Sequence, residues 1–209
     1  MKTAVAFTTH PSPRTARAVG ALSLLLLVWV LSVLLAASDP VQGIRMVIRL
    51  TARTSLVFFL VAFTASALVQ LWRGPRTQWL LLHRRAFGLA FAFSHAVHLT
   101  AIVAFARLDA AGFAQQSSLG NMITGGIAYL FIALMAATSW DGAVRWLGAR
   151  WWQLLHITGA YYIWVSFMVT FGKRIPVSAG YMLPVVVLVA ALMLRLVASY
   201  RKNAVAHSS

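Results

Sequence analysis

The sequence contains no cysteine and no glutamate, and its only acidic residues are Asp39, Asp109 and Asp141. Without thiols there is no disulfide, no Cys-ligated zinc, no iron–sulfur cluster and no thiol nucleophile. Three scattered aspartates exclude paired-carboxylate hydrolysis, a carboxylate cage for a divalent cation and a carboxylate proton relay. Charge is scarce altogether: 10% of the 209 residues are charged and 61% are hydrophobic. A single soluble core of this size could not hide so much apolar surface, so the solvent is largely lipid. The charge that remains has one sign, with 18 Lys and Arg and a formal net charge of +15. These residues fall between apolar runs, not along one basic surface. Topology and anionic headgroups account for them, and nucleic acid is not an expected partner.

A hydrocarbon core of about 30 Å takes about 20 apolar residues in a helix. Six runs qualify, near 18–37, 55–72, 86–106, 120–139, 152–172 and 180–198. They predict an all-α integral membrane protein, a bundle of about six transmembrane helices in a lipid bilayer. Arg195 is the one charge inside a run, near enough to its end to snorkel. The first run leads into LLAASDP, which resembles a signal-peptide cleavage site, but it is longer than a signal core and is expected to remain a helix. Eleven basic residues fall on the amino-terminal side of the predicted bundle and six on the other. The positive-inside rule then puts both termini in the cytoplasm. The expected organisation is a cytoplasmic tail at 1–17, a transmembrane domain at 18–199 and a second cytoplasmic tail at 200–209, both ends being polar enough to move. Loops of roughly seven to seventeen residues leave no room for an extramembrane domain.

Histidine is where polar chemistry enters the membrane. His10 and His207 lie in the tails, and His83 precedes Arg84 and Arg85 at the start of the third span. His95, His98 and His156 fall within spans. An imidazole in hydrocarbon is costly unless it is hydrogen-bonded or ligated, so such a residue is a functional candidate by default. His95 and His98 share one face of the third helix, about 60° apart. A neutral imidazole offers a lone pair to haem iron, and helices of a bundle supply such ligands from facing positions. His98, His156 and His95 are therefore the candidate metal ligands, with His83 available to a haem nearer the cytoplasm. The same residues in a helix-bridging role would instead make a membrane protein without redox chemistry.

The segment VQGIRMVIRLTART (41–54) spaces Arg45, Arg49 and Arg53 four apart, on one stripe. It reads as an interfacial amphipathic helix. Arg53 is the one best placed to pair with an anionic cofactor group such as a haem propionate. In RWWQLLHITGAYYIWV, the Trp151–Trp152 pair reads as an interfacial aromatic belt.

RRAFGLAFAFSHAVHL (84–99), RWWQLLH (150–156), SDPV (38–41) and TARTSL (51–56), in that order and spacing, resemble the ferric-reductase-like transmembrane domain. Within it the chain is most similar to the haem-binding membrane subunit of the bacterial periplasmic methionine sulfoxide reductase system. The resemblance implies a b-type haem carrier in the inner membrane, with FMN as a further candidate cofactor; Val169, where the family has a histidine, makes one haem the expectation rather than two. Electrons would come from a cytoplasmic flavin reductase or from quinol and leave to a periplasmic oxidoreductase subunit. Bond chemistry would occur in that partner, so no catalytic residue is expected here. A ferric or other metal reductase is the alternative within the same family.

By the resemblance, His98 matches the third-helix histidine and His156 the first histidine of the fifth. His95 has no counterpart and rests on the residue argument. The family's second fifth-helix histidine falls on Val169, which cannot ligate iron, and the neighbouring Met168 offers a thioether instead. Counting from Arg85 and Arg150, His98 and His156 differ in depth by about 10 Å, and His95 reduces this to about 6 Å.

Overall fold

The computed structural model describes residues 13–207, and His10 with the rest of the first twelve residues lies outside that range. Eight α-helices follow one another: α1 (Pro13–Ala36), α2 (Pro40–Leu71), α3 (Pro75–Leu108), α4 (Ala110–Gln116), α5 (Leu119–Ala137), α6 (Asp141–Leu147), α7 (Ala149–Gly172) and α8 (Met182–His207). A 3-10 turn, Ala179–Tyr181, leads into α8. There is no strand among the described residues. Six of the helices, α1, α2, α3, α5, α7 and α8, are long and apolar enough to cross a membrane. The chain is a multi-pass membrane protein.

Its outer surface shows why it needs lipid. Leu25, Leu35, Leu82, Leu119 and Leu183 are each well over half exposed, and only 11–33% of each spanning window is buried within the protein. Such faces cost nothing against acyl chains, whereas every backbone polar group must be satisfied inside its own helix.

Helix starts are written locally. Asp39 caps α2, its carboxylate accepting from the Gln42 N–H at 2.7 Å, with Pro40 at the first helical position. Gly74 and Pro75 open α3, and Thr77 Oγ1 accepts from the Gly74 N–H at 3.1 Å. Ser118 caps α5 through the Asn121 N–H. Between α6 and α7, Gly148 adopts φ +78°, a left-handed turn that a side chain would strain.

The connections differ from the expected loops. Three residues join α1 to α2 and three join α2 to α3, because the helices extend beyond their apolar runs. The arginine segment 41–54 is no separate interfacial helix: it forms the first turns of the 32-residue α2. Its i, i+4 hydrogen bonding continues unbroken into the apolar run, so nothing ends the helix at the interface. The connections after α3 and α5 hold the short helices α4 and α6, and residues 200–207 prolong α8.

Packing divides the bundle in two. On one side α2 lies along α3, with α1 against both; on the other α5 packs on α7. The buried positions of α2 include Gly43, Val47, Thr51, Ser55, Phe59, Phe63 and Ala67, one every fourth residue. They meet Ala86, Ala90 and Ser94, also four apart, on α3. This is the i±4n ridge, built of small residues where the backbones come closest. Helix association in lipid draws on such close packing, since apolar side chains gain little by leaving the acyl chains. Helices α3 and α7 make almost no close backbone contact. Aromatic side chains fill the space between them: Phe59, Phe91 and Phe167 sit with ring centroids 5.4–6.3 Å apart, and α8 closes the side with Leu188 and Ala191.

Candidate haem site

His95 points into the space between α3 and α7. His95 lies against Phe91 (centroids 4.7 Å), Phe167 (5.8 Å, edge-on), Tyr129 (5.6 Å) and His98 (5.7 Å). Its Nδ1 is buried without a hydrogen-bond partner, and so is the neighbouring Tyr129 hydroxyl. Orphaned polar atoms of this kind ask for a ligand or a hydrogen-bonding guest.

His98 is held differently. Its Nδ1 is 2.8 Å from Thr51 Oγ1, and that hydroxyl gives its single hydrogen to the Val47 carbonyl at 2.7 Å. With that hydrogen engaged the oxygen accepts, and the arrangement fits a proton on Nδ1 with the lone pair on Nε2.

His156 sits elsewhere. Phe167, the α7 side chain beside His95, lies three turns beyond His156, about 16 Å along the helix. Two nitrogens on one iron stand about 4 Å apart, at about 2 Å per metal–imidazole bond. His98 and His156 therefore occupy two levels and do not share a metal. The offset exceeds the depth difference expected from sequence because Arg85 and Arg150 do not mark one plane. Among the described residues no three His or acidic side chains converge on a metal position.

At its own level, His156 stacks on Trp152 (centroids 4.2 Å, 27° between planes), and its Nε2 is 3.1 Å from Thr138 Oγ1. Thr138 donates to the Leu134 carbonyl at 2.6 Å, so here Nε2 is the donor and the lone pair falls on Nδ1. Trp152 donates from Nε1 to the Thr138 carbonyl at 2.9 Å, which gives it a structural task beyond an aromatic belt. Gly159 allows this contact between α5 and α7: a Cβ there would lie 2.8 Å from Met135 Sδ.

The remaining candidates lie apart. His83 donates from Nδ1 to the Trp79 carbonyl at 2.9 Å and stacks on the Trp79 ring at 4.3 Å. Arg53 is exposed on α2. At the level of His98 on α7, Val169 is 47% exposed, while Met168 packs against the aromatic core.

Some polar residues were not legible as members of this arrangement. Thr51, Ser55 and Ser94 are fully buried hydroxyls beside His98. Their signal in the sequence is their clustering, as TARTS and FSHAVH, within otherwise apolar runs. Arg195 does not snorkel: it donates to the Phe63 carbonyl at 2.7 Å and lies over the Phe63 and Tyr161 rings at 4.3 and 5.3 Å. Because α8 runs on to His207, Arg195 is inside the helix, not near its end.

With the fold and the histidines placed, one relative can be set beside the chain. The chain is 32% identical over 148 residues to the protein-methionine-sulfoxide reductase heme-binding subunit MsrQ of Pasteurella multocida, a stretch covering 66% of this chain and 68% of the relative. The chain belongs to the MsrQ family. No family model matches it, and no solved structure does.

The donor set fits a haem at the level of His98. That histidine keeps its Nε2 lone pair, His95 adds an orphaned nitrogen, and α3 and α7 stand apart with flat aromatic rings between them. On α7 at this level Met168 is the side chain that carries a donor atom.

Proposed function

We propose that this protein is a b-type haem electron-transfer subunit of the bacterial inner membrane, accepting electrons from a cytoplasmic flavin reductase or from quinol and passing them to a periplasmic oxidoreductase subunit. The observation that carries the reading is the His98 ring, held through Nδ1 so that Nε2 is left as an iron ligand. The MsrQ relative, named as heme-binding, supports it. Haem, when bound, would supply a one-electron iron couple within the bundle.

The chain's own residues do the rest. His98 would hold the iron from α3, with His95 beside it, and Phe91 and Phe167 would exclude water and set the width of the space. Met168 is the candidate donor from α7. Residues 18–199 form the haem-binding domain, with both termini cytoplasmic, as the excess of arginine on that side supports. His156, in the first turns of α7, then lies at the cytoplasmic level, where electrons enter; His83 and Arg53 belong to the entry and exit faces. One haem is the expected content, with FMN at the entry level as a further cofactor.

The test is a pyridine haemochrome assay on the purified protein against protein concentration, with its reduced-minus-oxidised spectrum. A b-type Soret and alpha band at one haem per chain, lost in His98→Ala, is the expected result. A colourless preparation from haem-replete cells overturns the proposal.

A further inference from the structure

We infer that Thr51 is a positioning residue for His98, setting the tautomer and orientation of that ring from the neighbouring helix. The inference rests on the haem reading above and concerns a residue that touches no iron itself.

Thr51 is fully buried on α2, on the fourth-residue ridge that meets α3. A threonine in a helix ordinarily returns its hydrogen to its own backbone, and Thr51 does so, donating to Val47 at 2.7 Å with Ile48 at 3.2 Å. That bond orients the remaining lone pairs across the interface, where His98 Nδ1 lies at 2.8 Å. The chain carbonyl, hydroxyl, imidazole is polarised in one direction: a hydroxyl whose hydrogen is engaged accepts more strongly. An imidazole that gives its Nδ1–H to such an acceptor is a stronger donor through Nε2, and its ring cannot turn without leaving a buried N–H unpaired.

The neighbouring hydroxyls bond elsewhere. Ser94, one turn before His98 on α3, accepts from Ser55 Oγ at 2.8 Å, lies 3.2 Å from Thr54 Oγ1 and reaches the Thr51 carbonyl at 3.4 Å. These contacts join hydroxyls to one another and to the α2 backbone, not to the imidazole, so Ser94 serves as the control for Thr51. Of the four hydroxyls, Thr51 is the one bonded to the imidazole.

The test uses the haem-loaded protein with Thr51→Val, Thr51→Ser and Ser94→Ala, read by low-spin ferric EPR, redox titration and haem retention. Thr51→Val is expected to weaken haem retention by about 10- to 100-fold. It also favours the reduced form by about tenfold, a rise of about 59 mV for a one-electron couple. Thr51→Ser keeps the hydroxyl and restores both; Ser94→Ala keeps the wild-type spectrum and potential. Wild-type values in Thr51→Val, no rescue by serine, or the same shift in Ser94→Ala would each overturn the role. Wild-type protein that loads no haem overturns the haem reading itself. If Thr51→Val does not accumulate, nitrogen NMR of the labelled full chain without haem decides: an Nδ1-protonated His98 supports the role, and an Nε2-protonated one overturns it.

Discussion

His98 and His156 each rest on a threonine whose own hydrogen already goes to a helix carbonyl, yet the two rings are held by opposite nitrogens. At His98 the bond is to Nδ1, near the ring's root, and the outer nitrogen keeps its lone pair. At His156 the outer nitrogen is the one bonded, and Trp152 covers a face of the ring. Under the proposed reading the same two residue types thus leave a ligand in one place and build a helix bridge in the other. The reason lies in which helix supplies the threonine. Thr51 comes from α2, behind the α3 ring; Thr138 ends α5 and meets the tip of the ring from across the α5–α7 contact. For His156 to ligate through Nε2, the ring must first leave Thr138.

The largest effect that could break this comparison is spectral. His98→Ala is expected to abolish the b-type spectrum, whereas His156→Ala keeps it and slows reduction by the cytoplasmic donor. A spectrum lost equally in both variants would mean that the two residues serve one iron after all. Next comes Gly159→Val, which forces Met135 and Phe131 apart from α7. It should lower stability by about 1–3 kcal/mol in thermal unfolding in detergent, while the potential of the His98 haem stays put. Trp152→Phe keeps the stacking on His156 and removes one hydrogen bond to Thr138, at about 1 kcal/mol; the melting temperature should fall slightly with the spectrum unchanged. The smallest effect is expected for Asp141→Asn, which breaks the 3.3 Å ion pair to Arg85, the one ion pair among the described residues. Its partly exposed partners limit the loss to roughly 1 kcal/mol or less, read by the same melting experiment. A shift of the haem potential in any of these last three would show that the two levels are coupled.

The two neighbouring positions on α7 sharpen the contrast further. Val169 faces outward while Met168 faces the core, so under the proposed reading the α7 side-chain donor at the level of His98 is the Met168 thioether. That pairing raises a haem potential relative to two imidazoles.

Much of this molecule was legible from its residues. Lipid-length apolar runs separated by arginine clusters force six spanning helices, because no other backbone conformation satisfies its own hydrogen bonds in hydrocarbon. The want of thiols and carboxylates left histidine as the ligand type, and three histidines fell inside the spans. Helix ends were less legible: α2 and α3 run past their apolar cores, since Asp39–Pro40 and Gly74–Pro75 start them earlier than hydropathy does. Arg195 was misplaced for the same reason, and short α4 and α6 carry too little periodicity to be seen. Depth and partnership belonged to the tertiary structure alone. Whether α7 lies level with α3 depends on how their side chains interlock, and counting residues from flanking arginines assumes a common plane that the fold does not keep. Which nitrogen of each histidine is free depends on a hydroxyl brought in from another helix, across 47 residues for Thr51 and 18 for Thr138. Composition and pattern determine that imidazoles are placed in lipid; only packing decides which of their lone pairs remains to bind.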